Sequence, residues 1–103
     1  MVKGKPVEVS PCGVTVTRHA TERFIQRVAP GFSQAAARAY LTELAAAYAP
    51  HAGFRGRCSV DSRFGPLVLT VARVGHDRGG HAVVISVWPL RGRHCRGVRR
   101  LTA

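Results

Sequence analysis

The sequence predicts an α+β fold, two N-terminal helices packed on an antiparallel sheet of three to four strands, and three observations lead there. Apolar residues recur at helical spacing up to about residue 49, the pattern turns extended from residue 57 onward, and Pro-Gly and Gly-Pro pairs punctuate the change. A chain of 103 residues holds one core, so a single domain is expected, with a leader at 1–13, a core at 14–90 and a basic tail at 91–103.

The leader carries Pro6, Pro11 and Gly13 and has room for one short strand around Val7–Val9. Val14-Thr15-Val16 is a short β-prone stretch. Thr17 is a good N-cap for a helix from Arg18 to about Ala29, closed by Pro30-Gly31. Ser33 caps a second helix from Gln34 to about Ala49, rich in alanine, with Tyr40, Leu44, Ala47 and Tyr48 as its apolar stripe and Pro50 as its stop. After a loop at 51–56, Arg57–Phe64 reads as a moderate strand, Gly65-Pro66 as a turn, and Leu67–Val74 and His81–Trp88 as strong strands separated by a loop at 75–80. Both strong strands are apolar on both faces, which suits central positions.

Sixteen basic against five acidic residues, a net charge of +11, point to an anionic partner such as nucleic acid, RNA among them, or a phospholipid surface. With 46% hydrophobic residues the chain has too much apolar content for a disordered basic tail of the histone kind. All but Lys3 and Lys5 of the basic residues are arginines, whose planar fork fits phosphate. More than half of the net charge lies in residues 70–103, and Arg18, Arg73, Arg91, Arg93, Arg96, Arg99 and Arg100 are candidate nucleic-acid contacts. Cys12, Cys58 and Cys95 are odd in number and lack CxxC spacing, so they read as reduced thiols of a cytoplasmic protein. No apolar run reaches the ~18 residues of a membrane span, and no signal-peptide core is visible, so no membrane association is expected.

The first helix concentrates the chemistry. At about 100° per residue, His19, Arg23 and Arg27 fall at about 0°, 40° and 80°, whereas Ala20, Phe24, Val28 and Ile25 fall between about 100° and 240°. The three polar groups therefore form one row with steps of about 6 Å, close to the spacing of neighbouring phosphates on a single strand. Cleavage of RNA by its own 2′-hydroxyl needs a base for that hydroxyl, cations for the charge on the phosphorane and an acid for the departing 5′-oxygen. His19 is the candidate base, and Arg23 and Arg27 are the candidate cations. The acid is open; His76 and His81 flank the loop between the strong strands and are candidates, with His81 preferred.

Other chemistries find little support. No carboxylate pair suits a glycosidase. Among Cys58, His94, Cys95 and the other histidines, only the adjacent His94-Cys95 has zinc-type pairing, so neither a metal nor a small-molecule cofactor is expected. Gly75, Gly79 and Gly80 are not followed by the lysine and hydroxyl of a phosphate-binding loop. Trp88, Tyr40 and Tyr48 read as core or interface residues and not as base-stacking platforms.

A strand ending in Thr17, then His19-Ala20, Arg23-Phe24 and Arg27 on a helix, followed by a second helix and an antiparallel hairpin sheet, resembles the small RelE-like, or barnase/EndoU/colicin/RelE-type, ribonuclease toxins over about residues 14–88. The resemblance implies a metal-independent endoribonuclease neutralised by an acidic antitoxin protein. It also implies catalytic roles for His19 and Arg23, and beyond them for Arg27, His81, Ser86 and Arg73. The alternative from another class is a non-catalytic basic regulator that grips nucleic acid with the first helix and the arginine tail. An interaction domain with an incidentally basic surface is the third possibility.

Overall fold

The computed structural model describes residues 13–51, 53–74, 81–90 and 97–101. Val14–Val16 forms β1, its residues alternately buried, exposed and buried. Thr17 ends the strand and opens helix α1 (Arg18–Arg27), its Oγ1 accepting the Ala20 N–H at 3.1 Å. The helix stops short of the expected Ala29 because Val28 N–H makes the last regular bond, to the Phe24 carbonyl, Ala29 N–H returns to that same carbonyl five residues back, and Pro30 bars continuation. Ser33 caps α2 (Gln34–Tyr48) in the same way, its Oγ accepting from Ala36 N–H at 3.1 Å. The buried stripe of α2 is Ala37, Leu41, Ala45 and Tyr48, with Tyr40 and Leu44 at its margin. Ala47, expected in that stripe, is exposed because it lies about 100° round the helix from the stripe's centre.

Four further strands follow: β2 (Gly56–Val60), β3 (Leu67–Val74), β4 (His81–Pro89) and β5 (Arg99–Arg100), arranged β1-β4-β3-β2-β5. The strong strands β3 and β4 are central and antiparallel, as their two-sided apolar pattern implies. The sheet as a whole corrects the antiparallel expectation: it has five strands and is mixed, with β1 parallel to β4 and β5 parallel to β2. The alternation of a strand identifies its faces but not its neighbour. β1 returns to β4 only after both helices and two strands have intervened, and a long crossover of that kind is what parallel pairing requires. β2 ends at Val60, earlier than the expected Phe64, because Ser62–Gly65 makes a tight turn in which Ser62 Oγ donates to Gly65 O at 2.6 Å and Gly65 takes φ +91°.

Both helices pack on one sheet face. Val14, Val16, Ala82, Val84, Val87, Leu67, Leu69, Val71, Cys58 and Val60 meet Ala20, Phe24, Ala37, Leu41 and Ala45 in a single core. Phe24 is fully buried, a burial worth about 1.5–3 kcal/mol. Leu101 is also buried against this core, so the last described residues of the basic tail are built into the sheet. No helix of the described residues is long and apolar enough to cross a membrane. The expected leader, the loop at 75–80 with His76, and Arg91, Arg93, His94, Cys95 and Arg96 lie outside the described residues.

Candidate nucleic-acid interface

The row predicted on α1 is on its solvent side. Ala20, Thr21 and Phe24 are buried, His19 and Arg27 are exposed, and Arg23 is half-buried. Arg23 Nη1 donates to Gln26 Oε1 at 2.7 Å on the same helix, a neutral partner that leaves its charge uncompensated. Arg18, the remaining cation of the helix, is paired with Glu22 at 3.1 Å, the sole ion pair among the described residues; both side chains are exposed, so the pair is screened and worth at most about 1 kcal/mol.

The sheet sets the position of the row. β1 covers only the first part of β4's outer edge, and beyond Val84 the carbonyls of β4 have no strand partner on that side. The ends of α1 supply the missing donors: Thr17 N–H donates to Val84 O at 3.0 Å, Thr17 Oγ1 to Ile85 O at 3.3 Å, and Arg27 Nη1 to Val87 O at 3.3 Å. The helix therefore lies along the strand edge and masks it, with its cationic side outward.

Other predicted residues are elsewhere. His81 is half-buried, and its Nε2 is hydrogen-bonded to Thr15 Oγ1 at 2.6 Å. Because Val14, Val16, Ala82 and Val84 face the helices, Thr15 and His81 stand on the opposite sheet face, so His81 does not join His19 on one surface. Ser86, paired with Thr70 on that same opposite face, is likewise separated from the row. The alternation of β4 carries both residues away from α1, and this corrects the catalytic grouping of His19, Arg23, Arg27 and His81.

Arg73 is also corrected, from nucleic-acid contact to structural clamp. Its Nε donates to Phe54 O at 3.1 Å, and its Nη2 donates to Ala49 O at 2.6 Å and His51 O at 3.1 Å. A cation thus sits on the carbonyl end of α2, where the helix dipole favours it, and holds the loop leading to β2. Arg99 reaches the same loop from β5, its Nη1 donating to Gly53 O at 2.9 Å and to Arg55 O at 3.4 Å. Arg100, its neighbour, is exposed. Cys58 lies beneath these arginines with its thiol on the Gly53 and Arg55 carbonyls. Burial pushes this thiol above its ordinary value of 9.0, and a backbone hydrogen bond at Arg55 together with nearby Arg99 and Arg73 offsets part of the rise. Among the described residues no three His, Cys, Asp or Glu side chains gather as a metal site.

One cluster escaped the sequence reading. Phe24 of α1, Phe32 of the inter-helix loop, Tyr40 of α2 and Phe64 of the β2–β3 turn pack mutually, with ring centroids 5.5 to 6.3 Å apart. The Arg63 guanidinium covers three of these rings, 5.0 Å from Phe64, 5.1 Å from Tyr40 and 5.7 Å from Phe32. The available signal was the even spacing of Phe24, Phe32 and Tyr40 across the helical hairpin, which brings one ring from each segment to the same end; Phe64 was hidden by its assignment to a strand. Comparison of the chain with protein-family models, with curated proteins and with solved structures returns no match.

Proposed function

We propose that this protein is a basic nucleic-acid-binding protein, with cytoplasmic RNA as the ligand, that seats the strand's phosphates along the outer face of α1. The observation that carries the reading is the outward row of His19, Arg23 and Arg27, none of which is paired with an acid among the described residues. Arg100 and the tail arginines Arg91, Arg93 and Arg96 add to the attraction by charge.

The test is an RNA affinity titration over a range of salt concentrations. Neutralising Arg23 and Arg27 together to Gln should weaken binding at least tenfold at low salt and flatten the log–log salt slope by about 1.4, or about 0.7 for each phosphate no longer neutralised. An unchanged slope would rule out the α1 face as the binding surface.

Catalysis is the second reading, and one observation favours it: an exposed imidazole, His19, begins the cation row where a 2′-hydroxyl could meet it. In this reading the chain is an endoribonuclease of toxin type, and an acidic antitoxin would compete for the same arginines. His81, on the other sheet face, is not its acid. Incubation of RNA with the protein in a chelator decides it: strand scission abolished in His19→Ala while affinity is kept supports the enzyme, and intact RNA supports the binder.

A further inference from the structure

A row of phosphate-binding cations is indifferent to whether the bases are paired. The corner built by Phe32, Tyr40, Phe64 and Arg63 is not. Its floor is the Phe24 ring on the core side of α1, and Phe32 follows Arg27 by five residues, so the corner is built on the C-terminal half of the helix whose outer side carries the row. Arg63 and Phe64 are exposed, Phe64 at 36%, whereas Phe24 and Phe54 are fully buried and Tyr48 nearly so.

Hydrogen bonds tie the corner to α2. Arg63 N–H donates to Tyr40 Oη at 3.4 Å, Asp61 N–H donates to Tyr48 Oη at 3.2 Å, and Phe64 N–H donates to Ser62 Oγ at 3.0 Å. Two tyrosines of α2 thereby hold the turn that presents Arg63. The Arg63 charge rests on ring faces and makes no ion pair with a described residue. A guanidinium held over rings, with the side chain still exposed to water, offers a flat cationic surface whose side-chain entropy is already spent, and a nucleobase stacks on such a plane or on the adjoining phenyl ring.

We infer that the Arg63–Phe64 corner is a stacking platform for an unpaired nucleobase of the strand whose phosphates lie on α1; the inference rests on the nucleic-acid reading above. A quaternary-ammonium ligand, the other guest that aromatic boxes accept, would have to displace Arg63 and approach a chain of net charge +11. A base carries no such penalty. Because paired bases are hidden in the stack, the platform makes the protein prefer a single strand over a duplex of the same length, despite the duplex's higher charge.

The experiment uses the full chain, a single-stranded RNA 12-mer carrying one 2-aminopurine, the same RNA as a blunt duplex, and inorganic polyphosphate as a polyanion without bases. The expected result is tighter binding of the single strand than of the duplex, with quenching of 2-aminopurine. Arg63→Lys keeps the charge and removes the plane; Phe64→Leu keeps apolar bulk and removes the ring. Each should weaken single-strand binding about tenfold and relieve the quenching, with polyphosphate affinity unchanged. Should Phe64→Leu fail to fold, Arg63→Lys carries the test, since it leaves the ring cluster whole. Wild-type polyphosphate binding combined with variants that bind and quench the single strand as wild type does would overturn the platform alone. Binding to none of the three ligands would overturn the platform and the nucleic-acid reading together. Affinity for a trimethyl-lysine peptide, abolished in Phe64→Leu while RNA binding is kept, would replace the platform with a cation box.

Discussion

Two arginine-rich regions of this molecule put the same side chain to opposite uses. On α1, Arg23 is held by the neutral Gln26 and the exposed Arg27 gives one N–H to Val87 O of the strand edge, so neither charge is compensated by an acid among the described residues. At the α2–β2 loop, Arg73 and Arg99 give their N–H groups to the carbonyls of Ala49, His51, Gly53, Phe54 and Arg55. Backbone N–H groups of Phe54 and Arg55 reach the His51 and Gly53 carbonyls at 3.0 and 2.8 Å, and the guanidinium groups add charged donors to these and to the carbonyls of Ala49, Phe54 and Arg55. Formal charge thus overstates the surface available to an anion.

The largest effect that would break the comparison is expected at the clamp. Arg73→Ala should lower unfolding stability in urea by about 1–3 kcal/mol, because partly buried carbonyls lose charge-assisted donors; Arg73→Lys should recover less than half, since an ammonium lacks the fork. A loss of under about 0.5 kcal/mol in Arg73→Ala would mean the loop is held by something else.

Reversal of the outward pair comes next. Arg23→Glu with Arg27→Glu should reduce RNA affinity by well over tenfold at low salt while changing stability by about 1 kcal/mol or less, mainly through removal of the Arg27 bond to Val87 O. If instead the double variant unfolds and Arg73→Ala only weakens RNA binding, the two roles have been exchanged.

Thr17 belongs to both the helix and the strand edge, so Thr17→Ala should cost about 1–2 kcal/mol by thermal melt and Thr17→Ser should restore most of it. A smaller effect, confined to alkaline solution, is expected at Cys58. Its folded thiol titrates above the unfolded one, so the folded state binds the proton more tightly; the contribution is full below pH 9.0 and declines as pH rises through the folded value. Cys58→Ser or Cys58→Ala should flatten that alkaline decline, and site-resolved alkylation of the native chain should leave Cys58 unmodified. Removing the exposed pair with Arg18→Ala should change stability by less than about 0.5 kcal/mol, the smallest of the series.

Much of this was legible beforehand because it is local. Thr17 and Ser33 announce helix starts through hydroxyls that reach backbone N–H groups three residues on, and the outward face of α1 follows from residues spaced by turns of one helix. The central placement of β3 and β4 followed from apolar residues on both faces. His81 shows where that reasoning stops: its strand was evident, but its face relative to α1 depends on how β1 registers against β4. Arg73 shows the same limit, since its carbonyl partners lie 19 to 24 residues away in sequence. The packing of Phe64 on Phe24 needed both the helical hairpin and the β2–β3 turn in place.

Alone, the sequence determined the two helices, the two central strands and which side of α1 carries charge, because each depends on interactions within a few residues. Tertiary structure decided the mixed pairing of the sheet, the separation of His19 from His81, the conversion of Arg73 and Arg99 into clamps and the closing of four rings into one cluster, three of them beneath Arg63. Those outcomes are set by interactions between segments distant in the chain, where register, strand alternation and unsatisfied carbonyls choose among partners that composition treats as equivalent.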